Sequence, residues 1–431
     1  MNAKLYTTPP RLTTVVVVGA GQAGLSCSHY LSRFGIDHVV LERGEVANSW
    51  RTERWDSLRL LTPNWQSQLP GMGYSGDNPD GYMHMGEVVD FISGYARQSE
   101  APVQVQTRVT GVEPVGSGYR VKTNCGDWHC MSIIVASGAF STPTIPRFSE
   151  GMGAQVEQLD THRYRNPDRL APGGVLVVGA AASGAQIARE ISRSGRKVLL
   201  ATGEHVRMPR RYRGKDIQYW MDATGLLDED WEQVDDVRRV RRLPSAQLMG
   251  SDDFADLDLN SLQAEGVEVV GRLAGARDGR LQFSGGLANV VRLADLKLNR
   301  MLDRIDQYIE SSPDGAGAQG PATRTEPTQL ASNQRLEMEL ASEGISTVIW
   351  ATGYRPDYSW LDLPVMDARG MPRHNGGVTE LPGVYLMGLP FMRRRRSSFM
   401  SGAGEDALDI CHHLLAYLGR PVEWYWQKKT A

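Results

Sequence analysis

Two glycine-rich turns stand where a backbone could close around a diphosphate. Val15 to Val18 is a run of four valines that leads directly into Gly19-Ala20-Gly21-Gln22-Ala23-Gly24, and the residues from Leu25 onward read as a helix. Four β-branched residues bounded by glycine predict a buried parallel strand. In such a strand–turn–helix the glycines have separate tasks. Gly19 permits the tight turn, Gly21 lets the backbone approach the anion, and Gly24 lets helix and strand pack closely, with the phosphate at the positive end of the helix. The next strand, His38 to Leu41, ends in Glu42, and an acid at that spacing accepts hydrogen bonds from ribose hydroxyls. The chemistry predicted is dinucleotide binding.

The pattern recurs. Val175 to Val178 is followed by Gly179-Ala180-Ala181-Ala182-Ser183-Gly184 and a helix from Ala185 to Arg193. Ala181 replaces the middle glycine, and its methyl crowds a diphosphate slightly without abolishing binding. The following strand, Lys197 to Leu200, runs into Ala201-Thr202-Gly203 with no acid at its end, which disfavours NAD. Arg207, Arg210, Arg211 and Arg213 follow closely, and guanidinium groups suit a 2′-phosphate. NADPH is therefore the preferred second ligand; the alternatives are that these arginines form a solvated loop or serve a substrate.

Positioning two such sites takes more than one core. The chain has 431 residues, a length for two domains, with 41% hydrophobic and 23% charged residues. A net charge of −3 gives no electrostatic case for nucleic acid. No apolar run is long enough to cross a bilayer, and Met1 to Thr14 lacks a signal-like apolar stretch, so a cytoplasmic location is expected. Cys27, Cys125, Cys130 and Cys411 form no metal-ligand pattern, and Cys125 and Cys130, though spaced like a reductase pair, lie far from the first glycine turn. Val290 to Tyr308 has helical spacing, 311 to 328 reads as a mobile loop, Gly383 to Gly388 as a last strand, and Ser401 to Ala407 as the start of a helix. Arg393 to Arg396 is read as a solvated loop or as a contact to an anion.

Further segments carry a family resemblance. Val135-Ala136-Ser137-Gly138 and Ile349-Trp350-Ala351-Thr352-Gly353-Tyr354-Arg355-Pro356 look like the hinges between FAD and NADP domains, and Trp50 to Leu58 with Leu61 to Gly71 looks like the stretch that packs near a flavin ring. On these motifs the chain resembles the flavin-containing monooxygenase superfamily. It is most similar to stand-alone bacterial flavoprotein oxidoreductases related to the plant YUCCA-type indole-pyruvate monooxygenases. The resemblance implies an α/β fold of two Rossmann-like dinucleotide-binding domains of the three-layer ββα type, with the NADP domain inserted in the FAD domain. Residues 1–150 and 346–431 would be the FAD-binding domain, and 151–345 the NADPH-binding domain, with an insertion at about 207–300.

The implied FAD site comprises Gly19, Gly21, Gln22, Ala23, Gly24, Glu42, Arg43, Trp50, Arg51, Leu61, Thr62, Val109, Ser137, Gly138, Gly388, Ser401 and Gly402. The implied NADPH site comprises Gly179, Ala181, Ser183, Gly184, Arg207 and Arg211, with Ala351, Thr352 and Gly353 at the hinge. Asn64 is expected at the flavin edge as the catalytic polar group, a turn asparagine after Pro63 being the alternative. The implied activity is oxygenation of an N, S or carbonyl centre of a small molecule through a C4a-(hydro)peroxyflavin, with dioxygen as co-substrate and a homodimer as the implied state. One segment departs from the family pattern: Asp160 stands where a histidine is expected and His162 comes two positions late. That departure favours the alternative, an NADPH-dependent flavin oxidoreductase without oxygen transfer.

Overall fold

The β-branched runs pair as their burial requires. The computed structural model describes residues 10–313 and 315–420; the first nine residues of the N-terminal stretch and the end of the segment expected in the FAD domain lie outside them. In the first sheet, Val384–Leu386, Ser132–Val135, Val15–Val18, His38–Leu41 and Val103–Gln104 lie side by side and parallel. Val378–Thr379 and His374–Asn375 extend its edge antiparallel. Every residue of Val15–Val18 is buried, as a strand covered on both faces must be. Helices Gln22–Arg33 and Met400–Tyr417 pack on each other, and an antiparallel meander of Val109–Val115, Gly118–Thr123 and Trp128–Cys130 completes three layers around one core.

The second sheet repeats the first. Its parallel order is Glu157–Asp160, Ile345–Trp350, Gly174–Val178, Val198–Thr202 and Glu268–Gly271, with helix Ala182–Arg193 after the second glycine turn. A three-stranded meander of Leu273–Arg277, Arg280–Phe283 and Glu337–Glu339 packs against it. The chain leaves the first sheet after Ser132–Val135 and returns after Ile345–Trp350, and the two crossings pair antiparallel as Thr142–Pro143 with Tyr354–Arg355.

Residues 203–258 form an excursion between two adjacent strands of the second sheet. Its core, Tyr212, Ile217, Trp220 and Leu248, packs against Leu298, Leu302, Ile305 and Ile309 of helix Leu287–Ser311. Of 311–328, expected to be a mobile loop, the described residues include a 3-10 turn at Gly315–Gly317 and are tethered: Arg324 bonds Asp303 and Asp306, and Thr328 bonds Asp295. The arginine run is held in ion pairs rather than left as a solvated loop. Arg394 pairs with Asp406 at 2.8 Å and Asp409 at 3.1 Å, Arg395 with Glu229, and Arg396 with Asp222 and Asp228. It clasps the last segment to the excursion. Among the described residues no helix is long and apolar enough to cross a membrane.

Candidate functional site

The first glycine turn is built by close approach. At Gly19 (φ +109°) a Cβ would stand 2.5 Å from the Ala136 carbonyl oxygen, and at Gly24 it would collide with the Gly19 carbonyl. At Gly21 a Cβ would meet nothing within 4 Å, so this backbone faces open space. Helix Gln22–Arg33 starts there with no side-chain cap, which leaves its first N–H groups for a ligand. The buried Glu42 is held rigidly: Oε2 accepts the Ala20 N–H at 2.9 Å and Oε1 the Gly44 N–H at 3.0 Å.

This space opens into one cavity of about 460 Å³. Of the residues expected at the cofactors, Gly19, Gly21, Gln22, Ala23, Glu42, Arg43, Trp50, Leu61, Val109, Ser137, Gly138, Ser183 and Gly388 lie on its wall. The buried Ser137 Oγ has no hydrogen-bond partner there. Others act behind the wall. Arg51 bonds the Val46 carbonyl and Ser93, and Thr62 does not reach the cavity. Gly402 lets its helix approach the Arg396 carbonyl, beside a buried, unpartnered Ser401 Oγ. Arg54, Trp55 and Leu58, within the segment expected near a flavin ring, and Tyr354, within the second hinge, also line the cavity without having been named as site residues; Gln186 and Ser245 line it unforeseen. Arg54, just beyond helix Asn48–Thr52, sets its guanidinium 5.1 Å from the Trp50 indole centroid. Burial lowers the pKa of Arg54.

The second glycine turn repeats the first. A Cβ on Gly179 (φ +109°) would meet the Ala351 carbonyl, and one on Gly184 the Gly179 carbonyl. Ala181 caps the helix at φ −75°, a conformation open to any residue, so its methyl costs no strain. Thr352 bonds the Thr144 carbonyl, and the Gly353 carbonyl accepts the Thr144 N–H at 2.9 Å, which joins the two crossings. Ala182, Ser183 and Gln186 face the same cavity as the first turn. Strand register explains the missing acid. Val175 to Val178 pair with Val198 to Ala201 as Val15 to Val18 pair with His38 to Leu41, so buried Thr202 occupies the place of Glu42.

The arginines after that strand require correction. Arg207, 4% exposed, pairs with Asp258 at 2.6 Å and Asp295 at 2.7 Å. Arg210 pairs with Asp216 and donates to the Leu61 carbonyl at 2.8 Å, and Arg213 pairs with Asp306. Arg211 is exposed and lies over Phe254, 4.4 Å from the ring centroid, away from the cavity wall. Arg207 is thus engaged by acids of the excursion and the long helix, and Arg211 lies off the wall of the shared cavity.

Asn64 also differs from expectation. It is buried behind the wall and its Nδ2 donates to the Asn78 carbonyl at 2.9 Å, so it holds the 78–81 loop and does not face the cavity. Asp160 Oδ1 accepts the His162 N–H at 2.8 Å and the Arg163 N–H at 3.1 Å, the work of a turn cap. His162 stacks on Tyr354 with centroids 4.7 Å apart, and its buried Nε2 has no partner. Cys125 is exposed, burial pushes the Cys130 thiol up to about 12, and no cysteine among the described residues lines the cavity.

Comparison with known proteins agrees with this geometry. Residues 16–225 match the family model of the pyridine nucleotide-disulphide oxidoreductases. The chain is 33% identical to a CzcO-like oxidoreductase of Geobacillus kaustophilus over 94% of its own length and 99% of the relative's. It is 30% identical to indole-3-pyruvate monooxygenase YUCCA6 of Arabidopsis thaliana over 70% of this chain and 77% of that one. A flavin-containing monooxygenase from Stenotrophomonas maltophilia shares the fold with a TM-score of 0.66 at 21% identity, covering 95% of this chain and 99% of that chain.

Proposed function

Since the chain belongs to the CzcO-like oxidoreductases of the flavin monooxygenase superfamily, we propose that this oxidoreductase holds FAD on its first glycine turn and NADPH on its second, and oxygenates an N, S or carbonyl centre of a small molecule. One observation carries the reading: both turns open into a single cavity. The residues fit FAD. Gly21 leaves the space a phosphate needs, Glu42 has carboxylate lone pairs for ribose, and the Ser137 Oγ lacks a partner. On this reading residues 1–150 and 346–431 serve FAD and 151–345 serve NADPH. Thr202, where the first turn has Glu42, spares a 2′-phosphate the repulsion an acid at that place would cause.

Bound FAD and NADPH supply hydride transfer and the activation of dioxygen. The protein supplies position and shelter. Two cradles joined through one backbone hinge fix the approach of two ligands, which removes the entropy of their encounter. Trp50, Trp55, Leu58 and Leu61 give the cavity an apolar wall that excludes water from its middle. The Arg210 bond to the Leu61 carbonyl and the salt-bridged clasp at Arg394 to Arg396 hold the excursion over that wall. A second reading, NADPH-dependent oxidation without oxygen transfer, is favoured by the use of Asp160 as a turn cap rather than a site residue.

Substrate-stimulated NADPH consumption across amines, sulfides and keto acids, with ¹⁸O₂ and mass analysis of the product, tests the proposal. Incorporation of one labelled oxygen supports it. Hydrogen peroxide released in proportion to NADPH, with no labelled product from any class, establishes the second reading instead.

A further inference from the structure

Arg54 lines the cavity, and among the described residues no carboxylate forms an ion pair with it, although the Glu53 carboxylate acts on it from nearby. Its Nη1 donates to the Glu53 carbonyl at 2.8 Å and its guanidinium rests on Trp50. The Glu53 carboxylate pairs with Arg43 instead. A half-buried guanidinium on a cavity wall with no direct ion pair gains when an anion enters beside it.

Topology indicates where that anion lies. In the first sheet the strand two places from the valine strand, Val384–Leu386, ends at Met387 and Gly388, on the side of the glycine turn opposite Glu42. The matching strand of the second sheet is Glu157–Asp160, which ends at Thr161 and His162. Tyr354, just beyond Ile345–Trp350, lies against both: its hydroxyl bonds Thr161 and its ring stacks on His162. Arg54 and Tyr354 share the cavity wall, and His162 stands within electrostatic range of Arg54 as well as of the Glu53 and Asp160 carboxylates. A dinucleotide on a Rossmann turn runs from the acid position across the glycines to this opposite side.

We infer that Arg54, reaching across from the first part of the chain, forms with His162 an anion subsite for the diphosphate of the dinucleotide on the second turn. The inference rests on the two-cofactor reading above. It gives the first part a direct hold on the second ligand, so that ligand binding itself bridges the two halves of the cavity.

The test titrates NADP⁺ into FAD-loaded enzyme and follows the perturbation of the flavin absorption band, with inorganic pyrophosphate as competitor. Arg54→Met is expected to keep its FAD and its unfolding midpoint, to bind NADP⁺ about 10- to 100-fold more weakly, and to lose competition by pyrophosphate. Arg54→Lys should fall between. His162→Phe, which keeps an aromatic ring on Tyr354 and removes the ring nitrogens, should weaken NADP⁺ severalfold and carries the test if the Arg54 variants do not fold. Unchanged NADP⁺ affinity in a folded Arg54→Met overturns the inference and assigns the charge to a substrate carboxylate if keto-acid affinity falls instead. Loss of FAD with NADP⁺ affinity intact overturns it in favour of the first turn. A wild-type protein that takes up no FAD overturns the two-cofactor reading and the inference with it.

Discussion

Replacing Arg207 by methionine separates a structural arginine from a phosphate-binding one. Its side chain is 4% exposed and makes three bonds, from Nε and Nη2 to Asp258 and from Nη1 to Asp295. Those carboxylates are 11% and 16% exposed, so the substitution strands two buried negative charges close together. Breaking one buried pair costs roughly 3–5 kcal/mol, and two acids sharing one arginine place the loss near the top of that range. At 2–4 °C per kcal/mol, the unfolding midpoint should fall by on the order of 10 °C. Adding Asp258→Asn should recover part of the loss, because the two changes are coupled. The assay is thermal unfolding of Arg207→Met, Asp258→Asn and the double variant, with NADP⁺ affinity measured on each folded protein. A midpoint within a degree of wild type, together with a tenfold loss of NADP⁺ affinity, would refute the reasoning and restore Arg207 to the phosphate site.

Gly21→Val should abolish FAD retention while leaving the fold intact, because the new side chain enters the space where nothing lies within 4 Å; flavin absorbance per mole of protein and circular dichroism check both halves. Arg396→Ala removes contacts to Asp222 and Asp228 across the clasp, and should raise protease cleavage within 203–258 at low salt, with less difference from wild type in high salt. Asp406 is buried beside Arg394, and burial pushes its carboxyl up to about 6 from 3.8. A raised folded pKa means that folding takes up a proton, so this contribution is full below pH 3.8 and is lost as pH rises through about 6. Asp406→Asn should flatten that slope in unfolding midpoints measured from pH 4 to 7.

Local signals read well and distant ones did not. Val15 to Val18, Gly19 to Gly24 and Glu42 are contiguous, and their chemistry is set by spacing, so strand, turn and helix all appear where the pattern puts them. The missing acid after the second turn was also legible, and register shows the reason, since Thr202 holds the position. What the arginines of 207–213 do was not legible. Arg210 uses the nearby Asp216, but Arg207 and Arg213 are used by acids that the sequence gives no means of pairing with them: Asp295 lies 88 positions from Arg207 and Asp306 lies 93 from Arg213. Arg395 and Arg396 fail for the same reason, their partners at Glu229 and Asp222 being 166 and 174 positions away. Asn64 was placed in the right neighbourhood, but nothing local shows that its amide turns towards Asn78. Arg54 and Tyr354 sat in segments already singled out, yet only the folded crossings bring them to one wall.

The central claim is that two ligands on two turns meet in one cavity, and anaerobic titration of the FAD-loaded protein with NADPH tests it most directly. The account predicts that the oxidised flavin band near the visible blue bleaches fully with one equivalent of NADPH and returns on admission of air. A protein that binds FAD and NADPH independently, with the band unchanged after prolonged incubation, would contradict it.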